Sequence, residues 1–362
     1  MNIDELKKII QDCGVVGAGG AGFPTHIKID SRAKTILLNC AECEPLINVD
    51  KYLLTSFTNE ILSMLSKLSE ILDADVVIAV KNTYKNTIEA VNKNLSDYPR
   101  FKLSLLEPIY PTGDEVLLLY ETMGIVVPPG ALPIDIGCVV FNVETMYNIY
   151  KATTYGKTVS EKWVTIAGEV KNPGIKQLPL GITVKEAVEM ANTTIDNPEY
   201  IINGLMMGKT ASSEDVITKT TNAIFVLPYF LHKQPDTCTS LKRAASACCQ
   251  CRNCTDMCPR FLIGYPIEPH RIMRALCTKD LALDPIINAM YCSSCGVCEV
   301  AACPQSLAPR TLIGKIKSEL KKAGVIPAKH DFPKISPLRQ YRKIDQERLK
   351  IRLGISKYEV HE

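Results

Sequence analysis

Eight cysteines near the C-terminus fall into two runs, Cys248-x2-Cys251-x2-Cys254-x3-Cys258-Pro259 and Cys292-x2-Cys295-x2-Cys298-x4-Cys303-Pro304. This spacing wraps a short loop around an iron–sulfur cube and sends the fourth cysteine, just before proline, across to the neighbouring cluster. It predicts one [4Fe–4S] cluster on Cys248, Cys251, Cys254 and Cys303 and a second on Cys292, Cys295, Cys298 and Cys258. The chemistry on offer is one-electron transfer. The extra residue before Cys303 should alter the local turn without preventing ligation. Two structural zinc ions are the alternative, because Cys-x2-Cys pairs also build tetrahedral sites, but zinc requires neither a third evenly spaced cysteine nor a remote Cys-Pro. Cys249 sits too close to Cys251 for the usual spacing and reads as a spectator.

A second constellation lies near the N-terminus. Gly17-Ala18-Gly19-Gly20-Ala21-Gly22 has the form G-x-G-x-x-G, yet it follows an amphipathic helix and runs into Phe23-Pro24-Thr25, where the dinucleotide fingerprint should follow a strand and open a helix. Glycine still lets the backbone approach a phosphate or a flat ring, and Lys28 could pair with a phosphate as a point charge. A structural turn is the alternative. Three polar segments add to the loop: 39–45 (Asn-Cys-Ala-Glu-Cys-Glu-Pro), 110–115 (Tyr-Pro-Thr-Gly-Asp-Glu) and 142–145 (Asn-Val-Glu-Thr). Each sits where an apolar run ends or a helix begins, the edge at which open α/β sheets bind ligands.

The elements that must position these groups follow from periodicity. Ile3, Leu6, Ile9, Ile10 and Cys13 share one helical face, and the helix ends at Gly14. Apolar runs at 35–38, 76–80 and 138–141 alternate with helical patterns at 60–72, 87–95 and 115–123, which reads as an α/β layer with a largely parallel sheet. From Trp163 onward a strand, an Asn172-Pro173-Gly174 turn and a helix at 184–191 suggest a small second domain. Residues 235–243 read as a linker. Helices at 271–276 and 312–322 should cover the clusters, and another is expected at 345–353. The expected domains are 1–155, 160–230 and 240–322, followed by a basic tail, 323–362.

Composition sets outer bounds. The chain has 362 residues, 46% hydrophobic and 22% charged, with net charge +3, an ordinary globular profile with length for two or three domains. No apolar run is long enough to span a bilayer, and the N-terminus does not read as a signal peptide. Fifteen cysteines without an export signal point to metal ligation in a reducing compartment, the cytoplasm. The seven outside the runs read mostly as small buried residues. From residue 310 onward there are fourteen Lys and Arg against six Asp and Glu, a charge that could steer an acidic partner or simply solvate a helical tail. No aromatic-interleaved basic groove accompanies it, so no nucleic-acid binding is expected.

Taken in order, the glycine loop through Lys28 and the three polar segments resemble the flavin- and NADH-binding subunit of respiratory complex I, with its G-x-G-G-A-G-F-P-T-x-x-K, N-x-x-E-x-E-P, G-E-E and N-V-E-T stretches. The resemblance implies that Gly17, Gly19, Gly20, Lys28, Asn39, Asn142 and Thr145 hold FMN, and that Glu42, Glu44, Asp114 and Glu115 line the nicotinamide side as catalytic groups. Ala18 and Ala41 depart from the complex I pattern, which has arginine and aspartate there. The RnfC group of electron-transfer subunits shares these alanines, together with the 204–208 (Gly-Leu-Met-Met-Gly) and 218–222 (Thr-Lys-Thr-Thr-Asn) stretches. The segments 251–260 and 301–304 are similar to those of the cobalamin reductases of bacterial propanediol-utilisation microcompartments.

The fold implied is α/β, with a complex I flavoprotein-like flavin and NADH domain, a small SLBB (β-grasp) domain and a ferredoxin-like helical domain carrying two [4Fe–4S] clusters. The activity implied is an NADH-dependent reduction of cob(II)alamin to cob(I)alamin through FMN and the clusters. A corrinoid would be the substrate, a cobalamin adenosyltransferase and a microcompartment shell protein the partners, and a microcompartment the setting. The absence of an RnfC-type biotinyl-like segment speaks against a place in the membrane-bound assembly. Two other readings remain: a soluble RnfC-like input subunit feeding a ferredoxin or another reductase, and a non-catalytic iron–sulfur relay.

Overall fold

The computed structural model describes residues 1–229, 235–278, 283–358 and 360. They form two compact units. The first holds the described residues of Met1–Pro108, Pro133–Tyr229 and Lys357–Glu362; the second holds those of Ile109–Leu132 and Phe230–Ser356. The segment from Ile109, expected with the flavin domain, thus groups with the cysteine runs.

The first unit opens with the helix Ile3–Asp12, started by an Asn2 and Glu5 capping box and burying Leu6 and Ile10. Strands Thr35–Cys40 (β1), Asp75–Lys81 (β2) and Phe101–Leu106 (β3) follow; after the two-residue strand Ile109–Tyr110 (β4) of the other unit comes Cys138–Asn142 (β5). β3, β2, β1 and β5 lie side by side in that order, all parallel. Three consecutive residues, Ile36, Leu37 and Leu38, are fully buried, as expected of a parallel strand covered on both faces. The runs at 35–38, 76–80 and 138–141 are β1, β2 and β5. β3 lacks an apolar run because it alternates Lys102 and Ser104 with apolar residues at the half-exposed sheet edge. Strand order reverses between β1 and β5, the switch point at which open sheets hold ligands. Asn39 and Asn142 are register partners there.

The same unit carries a five-stranded mixed sheet, Glu161–Gly168 (β6), Gly174–Pro179 (β7), Glu199–Ile202 (β8), Lys209–Ala211 (β9) and Ala223–Leu227 (β10), in the order β7-β6-β10-β8-β9. The helix Val184–Glu189, with a Thr183 and Glu186 capping box, packs Val184 and Val188 against Ile166, Ile224 and Val226. One strand and one helix were expected; β7, β8 and β9 are short or largely polar, whereas β10 is a fully buried apolar run of five residues that the pattern reading passed over.

The second unit is mainly helical. Its two-residue strand Ile344–Asp345 (β11) pairs antiparallel with β4. Residues 235–243 are not a linker: Asp236 accepts hydrogen bonds from the amides of Cys238 and Thr239 and starts the helix Thr237–Ala247, an N-cap strong enough to order a polar segment. The basic tail is not a merely solvated helix either. Its helix Gln346–Leu353 buries Leu349 and Leu353, and the nearly buried Arg339 pairs with Glu121. Helices Pro269–Ala275 and Pro309–Lys322 occupy the positions expected to flank the cysteine runs. Among the described residues no helix is long and apolar enough to cross a membrane.

Candidate functional site

The fourth cysteine of each run sits with the other run. Burial, and then the charges of Cys303, Cys248 and Cys251, push the Cys254 thiol up to about 12. Burial raises Cys258 to about 12 with Cys292 beside it, and raises Cys295 and Cys298, each with Cys258 and Cys292 as neighbours. Each quartet therefore resists holding several thiolates unless a cation is present, and metal uptake must release protons. The quartets fit iron–sulfur cubes by donor chemistry: four sulfurs each, three from one run and one from the other. Among the described residues no three His, Cys, Asp or Glu side chains are grouped to hold a single metal ion.

Cys248, Cys251, Cys254 and Cys303 line one cavity, closed by His270 and Met273 of the helix Pro269–Ala275. The sulfurs of Cys248, Cys292 and Cys303 accept hydrogen bonds from Gln250 Nε2 (3.2 Å), Ser294 N (3.3 Å) and Leu307 N (3.4 Å), contacts that would tune the potential of a cluster held there. The extra residue of the second run is absorbed by a π-helical turn, Val297–Ala302, which carries Cys298 and ends at Cys303.

Outside the runs, Cys13, Cys40 and Cys138 are buried, Cys43 is half-buried, and Cys238, Cys249 and Cys277 are exposed. The expectation of mostly buried spectators therefore fails. Cys238 lies in the first turn of a mostly exposed helix, and Cys277 follows the end of another. Cys249 borders the same cavity as Cys248, but the charges acting on Cys254 are those of Cys248, Cys251 and Cys303. Cys248→Ser should accordingly cost about four iron atoms per chain on reconstitution, and Cys249→Ser none. Equal losses by iron assay would show that either thiol can serve.

Asp114 caps the helix Glu115–Met123 through the amides of Val116 and Leu117. Its other oxygen accepts from Arg260 Nη2 at 2.9 Å, in a pair whose side chains are 14% (Arg260) and 13% (Asp114) exposed. Arg260 directly follows Cys258-Pro259, so this carboxylate braces a cluster loop of its own unit. Glu115 begins the same helix.

In the first unit, the glycine loop and the Asn142–Thr145 turn meet. Ala18 N donates to Thr145 Oγ1 at 2.9 Å, and a Cβ on Gly19 would lie 2.6 Å from Asn142 Oδ1. Gly20 has φ +103°, open to glycine alone without strain. Lys28 Nζ donates to Val140 O, at the middle of β5, at 3.1 Å, and Asn39 Oδ1 accepts from Ala41 N. Gly17, Gly19, Gly20, Lys28, Asn39, Asn142 and Thr145 thus gather at the switch-point edge. Ala18 is 4% exposed and Ala41 1%, so the two departures from complex I sit where the backbone closes in. This glycine-walled, polar edge fits a phosphate-bearing flat cofactor.

The two glutamates of the 39–45 segment differ in surroundings. Glu42 accepts from Asp50 N at 2.9 Å, while its main-chain oxygen accepts from the buried Lys81. Burial, and then the charge of Asp50, raise its carboxyl to about 8. Glu44 is 5% exposed and accepts from the amides of Met206 (3.0 Å) and Met207 (2.6 Å), pressed against Gly204 where a Cβ would come within 2.1 Å of its Cδ. The five-stranded domain therefore clasps Glu44 in a backbone nest. Sequence patterns missed Asp50, whose carboxylate accepts from Glu144 N at 3.0 Å and from Asn142 Nδ2; an aspartate in the first turn of the helix Val49–Ser56 reads as an ordinary dipole partner.

The raised Glu42 carries a pH signature. The folded state keeps a proton that the unfolded chain gives up near the ordinary value of 4.5, so stability should fall as pH rises from about 4.5 to about 8 and level off above that. Glu42→Gln should flatten that decline in melting scans at pH 5 to 9. An unchanged slope would assign the titration elsewhere.

Residues 10–151 match the Nuo51 FMN-binding domain, 163–208 the SLBB domain and 247–308 a 4Fe-4S dicluster domain. The chain is 35% identical to cobalamin reductase PduS of Salmonella typhimurium, over 98% of this chain and 80% of that protein, and 35% identical to that of Citrobacter freundii. It is 32% identical to one of the subunits of the Na(+)-translocating ferredoxin:NAD(+) oxidoreductase complex of Acetobacterium woodii, over 78% of this chain and 65% of that protein. In fold it resembles a chain of an NAD+-reducing [NiFe]-hydrogenase, with a TM-score of 0.58 at 17% identity, covering 92% of this chain and 64% of the other.

Proposed function

The chain belongs to the PduS cobalamin reductase family, and from that premise we propose that this oxidoreductase passes electrons from NADH, through FMN and two [4Fe–4S] clusters, to cobalamin, reducing cob(II)alamin to cob(I)alamin. The observation that carries the reading is the pair of crossed cysteine quartets in a chain that also has a glycine-walled switch-point edge. A flavin accepts electrons in pairs and releases them singly, which is what joins a hydride donor to iron–sulfur centres.

The division of labour follows the expected domains, except that residues 109–132 go with the cluster unit. The rest of residues 1–155 hold FMN through Gly17, Gly19, Gly20, Lys28, Asn39, Asn142 and Thr145. Glu42 is the group placed to hold a proton near neutrality beside the nicotinamide. Glu44 acts there through position, because its oxygens are engaged by Met206 and Met207. The family resemblance also assigns Asp114 and Glu115 to the nicotinamide side, although Asp114 is engaged by Arg260 within the second unit. Residues 160–230 fix Glu44, and residues 240–322, followed by the tail, hold the two clusters. The corrinoid would be handed on to a cobalamin adenosyltransferase in a cytoplasmic microcompartment whose shell protein docks the chain.

Anaerobic reconstitution with FMN, iron and sulfide, followed by NADH and a panel of acceptors, tests this. Cobalamin should be reduced, and Gly19→Val should lose bound flavin, because its side chain would enter the space Asn142 borders. Normal flavin content in Gly19→Val would move the flavin site elsewhere. Reduction of a ferredoxin but never of cobalamin would favour the electron-input reading, which the likeness to the Acetobacterium woodii protein supports. Absence of flavin from the wild type would leave the relay.

A further inference from the structure

We propose that a basic cavity in the second unit is a binding port for a phosphate group, placed where electrons leave the chain. The cavity measures about 300 Å³ and is walled by Arg342, Lys343, Arg348 and Arg352 on one side and by Asn253 and Ala302 on the other. Among the described residues, four cations and no carboxylate line it. Such a volume is at the small end of ligand pockets, sized for a headgroup and not for a protein surface. Guanidinium forks match the paired oxygens of a phosphate.

The walls are built into the fold. Asp345 caps the helix Gln346–Leu353 through the amides of Glu347 and Arg348, which fixes the segment that carries the lining Arg348 and Arg352. Buried Leu349 and Ile344 anchor the cationic wall, and Arg352 Nε donates to Val300 O at 2.6 Å, tying that wall to the π-helical turn. The opposite wall is contiguous with a cysteine quartet: Asn253 precedes Cys254 and Ala302 precedes Cys303. In that quartet Cys251 is exposed and Cys248, Cys254 and Cys303 are half-buried, whereas Cys258, Cys295 and Cys298 of the other are buried. A phosphate held here stands next to the more accessible quartet.

Resting on the function proposed above, the phosphate is that of the acceptor itself, the phosphodiester in the nucleotide tail of a complete corrinoid. Cobinamide, which lacks that phosphodiester, separates this source from a free phosphate ligand. The reconstituted protein should bind inorganic pyrophosphate in calorimetric titration, with affinity falling as salt rises. Arg342→Gln with Arg348→Gln should weaken it at least tenfold, while Lys315→Gln, on the separate helix Pro309–Lys322, leaves it unchanged.

In turnover the double variant should raise the KM for cobalamin about tenfold, leave that for cobinamide unchanged, and keep NADH-to-ferricyanide activity. Pyrophosphate binding absent from the wild type, or equal in the double variant, overturns the port. Loss of pyrophosphate binding with an unchanged cobalamin KM upholds a phosphate site but overturns the corrinoid as its source. A wild type that reduces no cobalamin at all would defeat the functional reading, and the pyrophosphate titration would still decide the port.

Discussion

Serine at Cys258 should halve the iron of the reconstituted chain, from about eight atoms to about four, and the lost cluster should be the one gripped by the other run. Cys258 is buried beside Cys292, and it presses on Cys295 and Cys298. Its own run groups with Cys303 instead. Double variants make the crossing explicit. Cys258→Ser with Cys292→Ser should lose no more iron than Cys258→Ser alone, whereas Cys258→Ser with Cys251→Ser should lose nearly all. Iron and sulfide assays with low-temperature spin resonance read both outcomes. If the outcomes are exchanged, with the Cys251 double keeping about half its iron and the Cys292 double losing nearly all, the runs are autonomous and the crossed assignment is wrong. Zinc bound in place of iron under reconstitution would replace the cluster reading altogether.

The second large effect concerns how the five-stranded domain is fixed to the flavin layer. Lys162 and Glu144 form an ion pair with side chains 1% and 2% exposed, and Glu144 also accepts from Trp163 N at 3.1 Å. Desolvation makes such a pair costly to break: Lys162→Met strands a buried carboxylate and should lower stability by about 3–5 kcal/mol. Lys162→Met with Glu144→Leu removes both charges and should recover much of that loss, although the Trp163 amide then lacks its acceptor. Denaturant unfolding of the four proteins closes the cycle. A Lys162→Met loss below about 1 kcal/mol would mean that water reaches the pair.

Legibility in the sequence followed the range of the signal. Cysteine spacing is local and encodes a ligand set directly, so the expectation of two quartets that exchange their fourth members could be formed from it, and the thiols group in that way in the fold. Buried parallel strands announce themselves as apolar runs, and β1, β2 and β5 were legible for that reason; β3, half-exposed at the edge, was not. β10 carries the same apolar signal and was overlooked, while the short β8 and β9 gain their stability from their neighbours, which no single segment displays. Likewise, three of the four ordered motifs marked the switch-point edge, while the 110–115 segment groups with the cysteine runs, and none showed which of their acids were already committed. Glu44 is held by amides 162 and 163 residues away in sequence, and Asp114 by Arg260, 146 residues away. Asp50 went unnoticed because its partners lie on a strand end and a turn some ninety residues further on.

The π-helical turn Val297–Ala302 has a bearing on ancestry. A π-turn accommodates one residue more than the α-turn it replaces, so the four-residue gap before Cys303 has the form of a single-codon insertion into an ancestral three-residue gap. If the two runs are copies of one ancestor, one kept that register, while the other gained a residue and took it up as a bulge. Deleting Ala301 reverses that event, letting the turn relax to α-helical geometry and giving the second run the spacing of the first. A chain that still assembled both clusters after the deletion would mark the insertion as tolerated baggage. One that lost Cys303 from its quartet would mark it as a change to which the rest of the unit has since adapted.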